Sequence, residues 1–265
     1  MIPNSKFLVE GMNALAVGGL VFVLVSGGTL LGMFLRSVLP EHHLSEDSKD
    51  IIRISTAMIA TLAALVVGLL IASAKSSFDA KDGALTRSAS HFVLLDRTMA
   101  QYGPETAEAR KLLRQIVVIR HHQVWPEGDA ERLDPKAVSE GPGIETIQRK
   151  LLDLSPQNDA QRWLRSTALQ LTSDIAEVRW SALEQMGGGI PWPFLAIMVF
   201  WFAVIFTSFG LFAPRNGSVI IALFVCALSL AGSIYLIVEM DQPYSGFIKL
   251  SSAPVLTALD QMGRP

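Results

Sequence analysis

The chain of 265 residues has one cysteine, no excess of basic charge, and no charged residue at all in four long stretches. Each absence narrows what it can be. Cys226 alone cannot close an intrachain disulfide or supply a cysteine metal cluster, and its place in an apolar run suits a small packing residue. With 22 Lys and Arg against 24 Asp and Glu, the net charge is −2, which offers no basic surplus for a nucleic acid partner. No HExxH, GxSxG, P-loop or GxGxxG occurs, so the metal, nucleophile and phosphate-cradling chemistry of those spacings has no anchor here. His42 and His43 are neighbours in sequence and so rarely aim at one centre. His91, His121 and His122 stand on charged helical segments, where a histidine is ordinarily a surface residue. No catalytic residue, metal or cofactor is expected, and the chain does not read as an enzyme.

What is present is apolar surface: half of the residues are hydrophobic and 17% are charged. The uncharged stretches are residues 13–35, 54–74, 192–213 and 216–238, each long enough for the roughly 20 apolar residues a helix needs to cross hydrocarbon. The first exceeds the apolar core of a secretory signal, has Lys6 as the only side-chain cation before it, and is followed by no A-x-A site. Residues 75–190 hold 15 of the 22 basic and 16 of the 24 acidic side chains. The fold class expected is therefore all-α: an integral membrane protein of four transmembrane helices, with an extended, coiled-coil-like helical soluble insert between spans 2 and 3. Residues 1–74 form the first transmembrane hairpin and 75–190 the insert, with the span-2 helix continuing to residue 102. Residues 191–240 form the second hairpin and 241–265 an interfacial tail. Both termini then share the side of the insert. Near the spans that side carries Lys6, Lys75, Lys81, Arg87, Arg179 and Lys249, against Arg36, Lys49, Arg53 and Arg215 opposite. The positive-inside rule makes it the cytoplasmic side of a bacterial inner (plasma) membrane.

Residues 45–102 organise the rest. No proline occurs from 41 to 103, Arg53 and Lys75 bracket the second span, and the apolar pattern runs on through Phe78, Leu85, Phe92, Leu95 and Met99. One helix of that length reaches roughly 80 Å, against about 30 Å of hydrocarbon. Ser45, followed by Glu46 and Asp47, reads as its N-cap with an acidic first turn. Inside the span, Thr56, Ala60, Ala64, Gly68 and Ala72 make a ridge of small residues, with the bulkier Ile59, Leu62, Leu65, Val66 and Leu69 opposite. Small ridges allow close packing in a bilayer, where the hydrophobic effect between helices is weak. The ridge suits either a neighbouring helix of the same chain or the lining of a pore. A four-residue step drifts by about 40° per repeat against the 3.6-residue turn, so no single partner follows it throughout.

The first span is glycine-rich, and Gly28 with Gly32 makes a GxxxG suited to close helix approach. Beyond the bilayer, Phe78, Leu85, Ser88, Phe92, Leu95, Met99 and Tyr102 form a 3/4 seam that Gly103-Pro104 ends. Helices are expected over 105–125 and 144–154, with a proline-rich loop at 126–142. A third begins at Ser155-Pro156, read as N-cap and N1 proline, and carries Leu164, Ala168, Leu171, Ile175, Val178 and Ala182 as a second seam to 186. Gly187, Gly188 and Gly189 read as a hinge before Pro191-Trp192-Pro193 opens the third span. Glu239 and Asp241 close the last span at the negative end of its dipole, where a cation is needed. A salt bridge, with Lys75 among the partners, is one reading, and an ion-attracting mouth is the other, since rings of acids select cations. In residues 247–262, Ser252-Ala253-Pro254 opens a short amphipathic helix expected to lie along the membrane interface.

Four segments, VVGLLIASAKSSFD (66–79), LDRTMAQYGPE (95–105), FGLFAPRN (209–216) and EMDQPYSGFIKLSSAP (239–254), resemble bacterial and plant membrane proteins labelled bestrophin-like. The resemblance covers nearly the whole chain. By analogy with bestrophins, which are oligomeric anion channels with four-span subunits, it implies channel function. The chain departs from bestrophins in having no acidic calcium-clasp run after the last span. The function expected is a homo-oligomeric ion channel in the lipid bilayer, passing a small inorganic ion, with its pore lined by the second span. The alternative is a non-conducting membrane scaffold or sensor whose insert binds a cytoplasmic protein partner.

Overall fold

The computed structural model describes residues 13–40, 46–125, 143–186, 192–214, 216–242 and 246–262. These residues build helices only: α1 Ala14–Val38, α2 Glu46–Tyr102, a 3-10 turn Pro104–Thr106, α3 Ala107–Val124, α4 Ile144–Leu152, α5 Asp159–Met186, α6 Trp192–Phe212, α7 Gly217–Asp241 and α8 Ala253–Gln261. Four of them, α1, α2, α6 and α7, are long and apolar enough to cross a membrane. With no proline to interrupt it, α2 runs for 57 residues as one helix. Two compact units result, Met1–Phe78 with Gly189–Ile248, and Asp79–Gly188 with Lys249–Pro265. The expectations for Ser45, His42-His43, the loop at 126–142, Arg215 and the glycine hinge at 187–189 fall outside the described residues.

In the first unit α1 packs on α6 and α7. Its approach to α6 is backbone on backbone. A Cβ at Gly28 would stand 2.8 Å from the Ala203 carbonyl oxygen, one at Gly32 would overlap that of Thr207, and one at Gly210 would overlap that of Thr29. The GxxxG of the first span is thus used inside the chain, matched by a glycine from the partner helix. Val21 and Val25 fill the space beside it, and Gly18 rests on Tyr235 of α7. Arg36, in the last turn of α1, donates to the Ala213 carbonyl just past the end of α6, placing a cation at the negative end of that helix.

In the second unit the water-facing half of α2 shares one core with α3, α4, α5 and α8. Phe92, Leu95, Met99 and Tyr102 from the first seam and Leu164, Ala168 and Ile175 from the second are buried. Leu113 and Ile116 of α3 and Ile144, Ile147 and Leu151 of α4 fill the same core, with α4 packed on both α3 and α5. One charge enters this core. Asp96 is buried and receives both arms of Arg110, Nε to Oδ1 at 2.9 Å and Nη2 to Oδ2 at 3.0 Å, and this pairing raises the arginine's pKa above its ordinary value. Tyr102 ends α2 because Gly103 takes φ +137° and the Thr106 hydroxyl turns back to the Met99 carbonyl.

Two local expectations are corrected. The N-terminus of α5 is not set by Ser155-Pro156: the helix starts at Asp159, because the Asn158 carboxamide accepts the Gln161 N–H at 2.8 Å. The tail spends much of its apolar face on protein, with Phe247 and Leu256 left exposed. Val255, Ala258 and Met262 are buried, Trp125 Nε1 donates to the Leu250 carbonyl at 2.9 Å, and Arg114 donates to that of Met262 at 2.8 Å.

The crossing of α1 and α6 has no slack, since backbone atoms rather than flexible side-chain ends oppose the glycines. Gly32→Leu is expected to destabilise the protein by about 3 kcal/mol, at the upper end for overpacking. Gly19→Leu, at a position where an added Cβ meets nothing within 4 Å, is expected to leave the thermal unfolding midpoint in detergent unchanged.

Candidate functional site

The second span is where the sequence places its functional residues, and the structure divides them. Thr56 is buried and donates its hydroxyl to Ser208 Oγ of α6 at 3.0 Å, and Ala60 is half-buried beside it. Ala64, Gly68 and Ala72 are exposed, and a Cβ added to Gly68 meets nothing within 4 Å. The helix is held instead along Thr56, Ala60, Ala63, Val67, Leu70 and Ala74, with Ala63 only 1% exposed. Steps of four and three along this line average the 3.6-residue turn, so it stays on one face. The four-residue ridge rotates away from that face by about 160° between Thr56 and Ala72. Stepping at 3.6 rather than 4 is the signal that finds Ala63, Val67, Leu70 and Ala74, which the small-residue pattern passes over.

The outward face has a definite character. At about 100° per residue, Ala57, Thr61, Ala64, Gly68 and Ala72 fall within roughly 80° of one another, and all five are exposed. Leu62, Leu65 and Leu69 flank them, also exposed. Only 11% of the apolar window of this span is buried by the rest of the chain, against 39%, 28% and 22% for α1, α6 and α7. Beside that face, and bordered like it by Ala57, a cavity of about 710 Å³ opens between α2, α6 and α7, walled by Ala60, Phe209 and Leu223, with Arg53 and the Thr56–Ser208 pair as its polar groups.

Glu239 is 4% exposed, and one carboxylate oxygen accepts the backbone N–H of Phe247 and, at 3.3 Å, that of Ile248. Gly246 takes φ +120°, and a Cβ there would run into the same carboxylate. Glu239 therefore supplies the acceptor for two part-buried backbone donors just beyond its own helix. Asp241 lies two residues on, half-buried, and Lys75 is exposed with its Nζ 5.7 Å from the centre of the Phe78 ring. The Tyr235 hydroxyl, one helical turn earlier, is a partner that spacing reveals, whereas spacing does not reveal the backbone groups eight and nine residues on. Among the described residues no group of three or more His, Cys, Asp or Glu is placed to hold a metal ion.

A family model described as the Bestrophin-like domain matches residues 23–255. No curated protein and no solved structure matches the chain.

Because Glu239 accepts these two bonds, Glu239→Ala is expected to cost about 1–3 kcal/mol, the range for losing hydrogen bonds to a charged group. Hydrogen exchange at the Phe247 and Ile248 amides should accelerate in that variant. Glu239→Gln, which retains an acceptor oxygen, should recover most of the protection. If instead the unfolding midpoint and exchange of the alanine variant match those of the unaltered protein, the carboxylate has another task.

Proposed function

The chain belongs to the bestrophin-like family, and from that premise we propose that it is the subunit of a homo-oligomeric ion channel whose pore is lined by the second span. The observation that carries this reading is the outward face of α2. It is a strip of small residues and one hydroxyl at bilayer depth, left uncovered by a chain that buries its other three spans more fully. Repeated around an axis, such a strip leaves room for a hydrated or partly hydrated ion, while α1, α6 and α7 form the outer, lipid-facing wall. Within the ridge, Ala64, Gly68 and Ala72 take the lining position, and Thr56 and Ala60 hold the lining helix to its own bundle. In this reading the insert and both termini are cytoplasmic in a bacterial inner membrane, the permeant species is a small inorganic ion, and no catalytic step is involved.

A second reading, a non-conducting scaffold or sensor with a cytoplasmic protein partner, is supported by Trp163 and Trp180, which stand 66% and 60% exposed on α5.

Purified protein in planar bilayers separates the two. Unitary currents are expected, reduced several-fold or abolished by Ala64→Trp and little changed by Leu65→Trp on the flanking bulky face. Silent bilayers, or currents indifferent to Ala64→Trp, overturn the channel reading.

A further inference from the structure

The cavity between α2, α6 and α7 lies wholly within the membrane unit, at the end of the bundle where α6 finishes and α7 starts. Its walls are Ala57 and Ala60 of α2, Phe209 and Phe212 from the last turn of α6, and Val219 and Leu223 of α7. Phe209 is 44% exposed with all of these in place, so the cleft keeps apolar surface that the described residues do not cover. Two polar features are set into it along α2. Arg53, which brackets the span, is the one charged residue among the described ones that line the cavity. One turn deeper, about 4.5 Å along the helix axis, Thr56 is buried and bonded to Ser208 Oγ at 3.0 Å. A further turn on, at Ala60, the lining is apolar.

Each polar feature has something left to offer. Arg53 has Asp50 3.6 Å away on its own helix, with the two side chains 62% and 67% exposed, and so wet an ion pair holds a guanidinium only weakly. Its five N–H donors form a fork that matches two oxygens of a phosphate at once. Thr56 and Ser208 carry two hydroxyl protons between them, and the bond that joins them uses one, so among the described residues one donor remains for a guest acceptor. Arg36 of α1 donates to the carbonyl of Ala213, another lining residue, and thus puts a second guanidinium beside the opening.

From the membrane surface inwards the cleft therefore presents a cation, then a hydroxyl donor, then an apolar groove. That is the order of phosphate, ester carbonyl and acyl chain in a glycerophospholipid. Acyl chains cover any apolar helix face in a bilayer, and fixed donors at two depths are what distinguish a site from that general solvation. A free phosphate leaves the walls bare, and a hydrocarbon chain alone leaves both donors unmet. A headgroup with net negative charge gains more from Arg53 than one whose phosphate is offset by choline.

We propose that this cleft is a binding site for one anionic phospholipid, with its phosphate on Arg53, an ester carbonyl on the Thr56–Ser208 pair and an acyl chain along Ala60, Phe209 and Leu223.

The test uses the full chain, stripped of lipid in dodecyl maltoside, with thermal unfolding followed as dioleoylphosphatidylglycerol or dioleoylphosphatidylcholine is added to the micelles. A saturable rise in midpoint is expected with phosphatidylglycerol, half complete at a several-fold lower lipid fraction than with phosphatidylcholine. Arg53→Gln should weaken the phosphatidylglycerol response about ten-fold, the loss of one charge-assisted hydrogen bond, and bring the two lipids together. Lys49→Gln, the same change of charge one turn earlier on α2 and outside the cavity, should leave both responses as they are. Leu223→Trp, which fills the cleft, should weaken both lipids, whereas Leu228→Trp, at an exposed position of α7 outside the cavity, should weaken neither. Should Leu223→Trp not fold, Arg53→Gln set against Lys49→Gln decides alone. The proposal is overturned by a response that does not saturate, by equal affinity for the two lipids in the unaltered protein, or by equal losses in Arg53→Gln and Lys49→Gln, the mark of a general attraction of anionic lipid to a basic surface.

Discussion

The membrane half of this protein depends on one contact, the crossing of α1 and α6 at Gly28, Gly32 and Gly210, where backbone lies against backbone. In hydrocarbon an apolar side chain gains little by leaving lipid for protein, so helices associate through close dispersion contacts, and those are available only where side chains are missing. Once α1 is committed to α6 on this face and to α7 through Gly18 and Tyr235 on another, three spans are packed and the fourth has to find room outside them. The α2 span docks by side chains, through Ala63, Val67, Leu70 and Ala74, and keeps a whole face uncovered. That asymmetry leads from the fold to the channel proposal: a small-residue face left without a partner among the described residues is open to close contact with another copy or with the content of a pore.

The water-facing half follows the ordinary logic of a soluble core. Leu95, Met99, Leu113, Ile147, Leu151 and Ile175 bury their surface together, and the hydrophobic effect acts on them in full. Several polar groups taken into that core are paired: Asp96 with both arms of Arg110, Trp125 Nε1 with Leu250, and the Thr106 hydroxyl with the carbonyls that end α2, while His91 Nδ1 and His121 Nε2 are buried without a hydrogen bond among the described residues. Arg179 of α5 likewise reaches Glu145 in the first turn of α4. In the membrane unit, backbone donors meet the Glu239 carboxylate.

Much of this was legible in the residues alone. Span number, the unbroken course of α2, the all-α class and the family are properties of runs, lengths and short segments, and a run of uncharged residues or a stretch without proline acts on the backbone where it stands. The GxxxG of the first span was visible too, though Gly210, which completes the crossing from the other helix, became meaningful only once the two were brought together. Other features had a local signal that competed with a better one. Ser155-Pro156 is a sound helix start, and Asn158 three residues later is the one used. The tail is amphipathic enough for a membrane surface, and α3 offered it a drier face.

Tertiary structure decided which way each pattern points. The small ridge of α2 begins inward at Thr56 and ends outward at Ala72, because the helix turns every 3.6 residues and its neighbours lie on one side only. Glu239 meets main-chain N–H groups of Phe247 and Ile248, which every residue carries and no side-chain pattern reveals. Glu145 and Arg179 are 34 positions apart, and only the packing of α4 on α5 makes them neighbours. Apolarity, length and backbone freedom are written residue by residue, whereas the direction of a face and the company of a charge belong to contacts between distant parts of the chain.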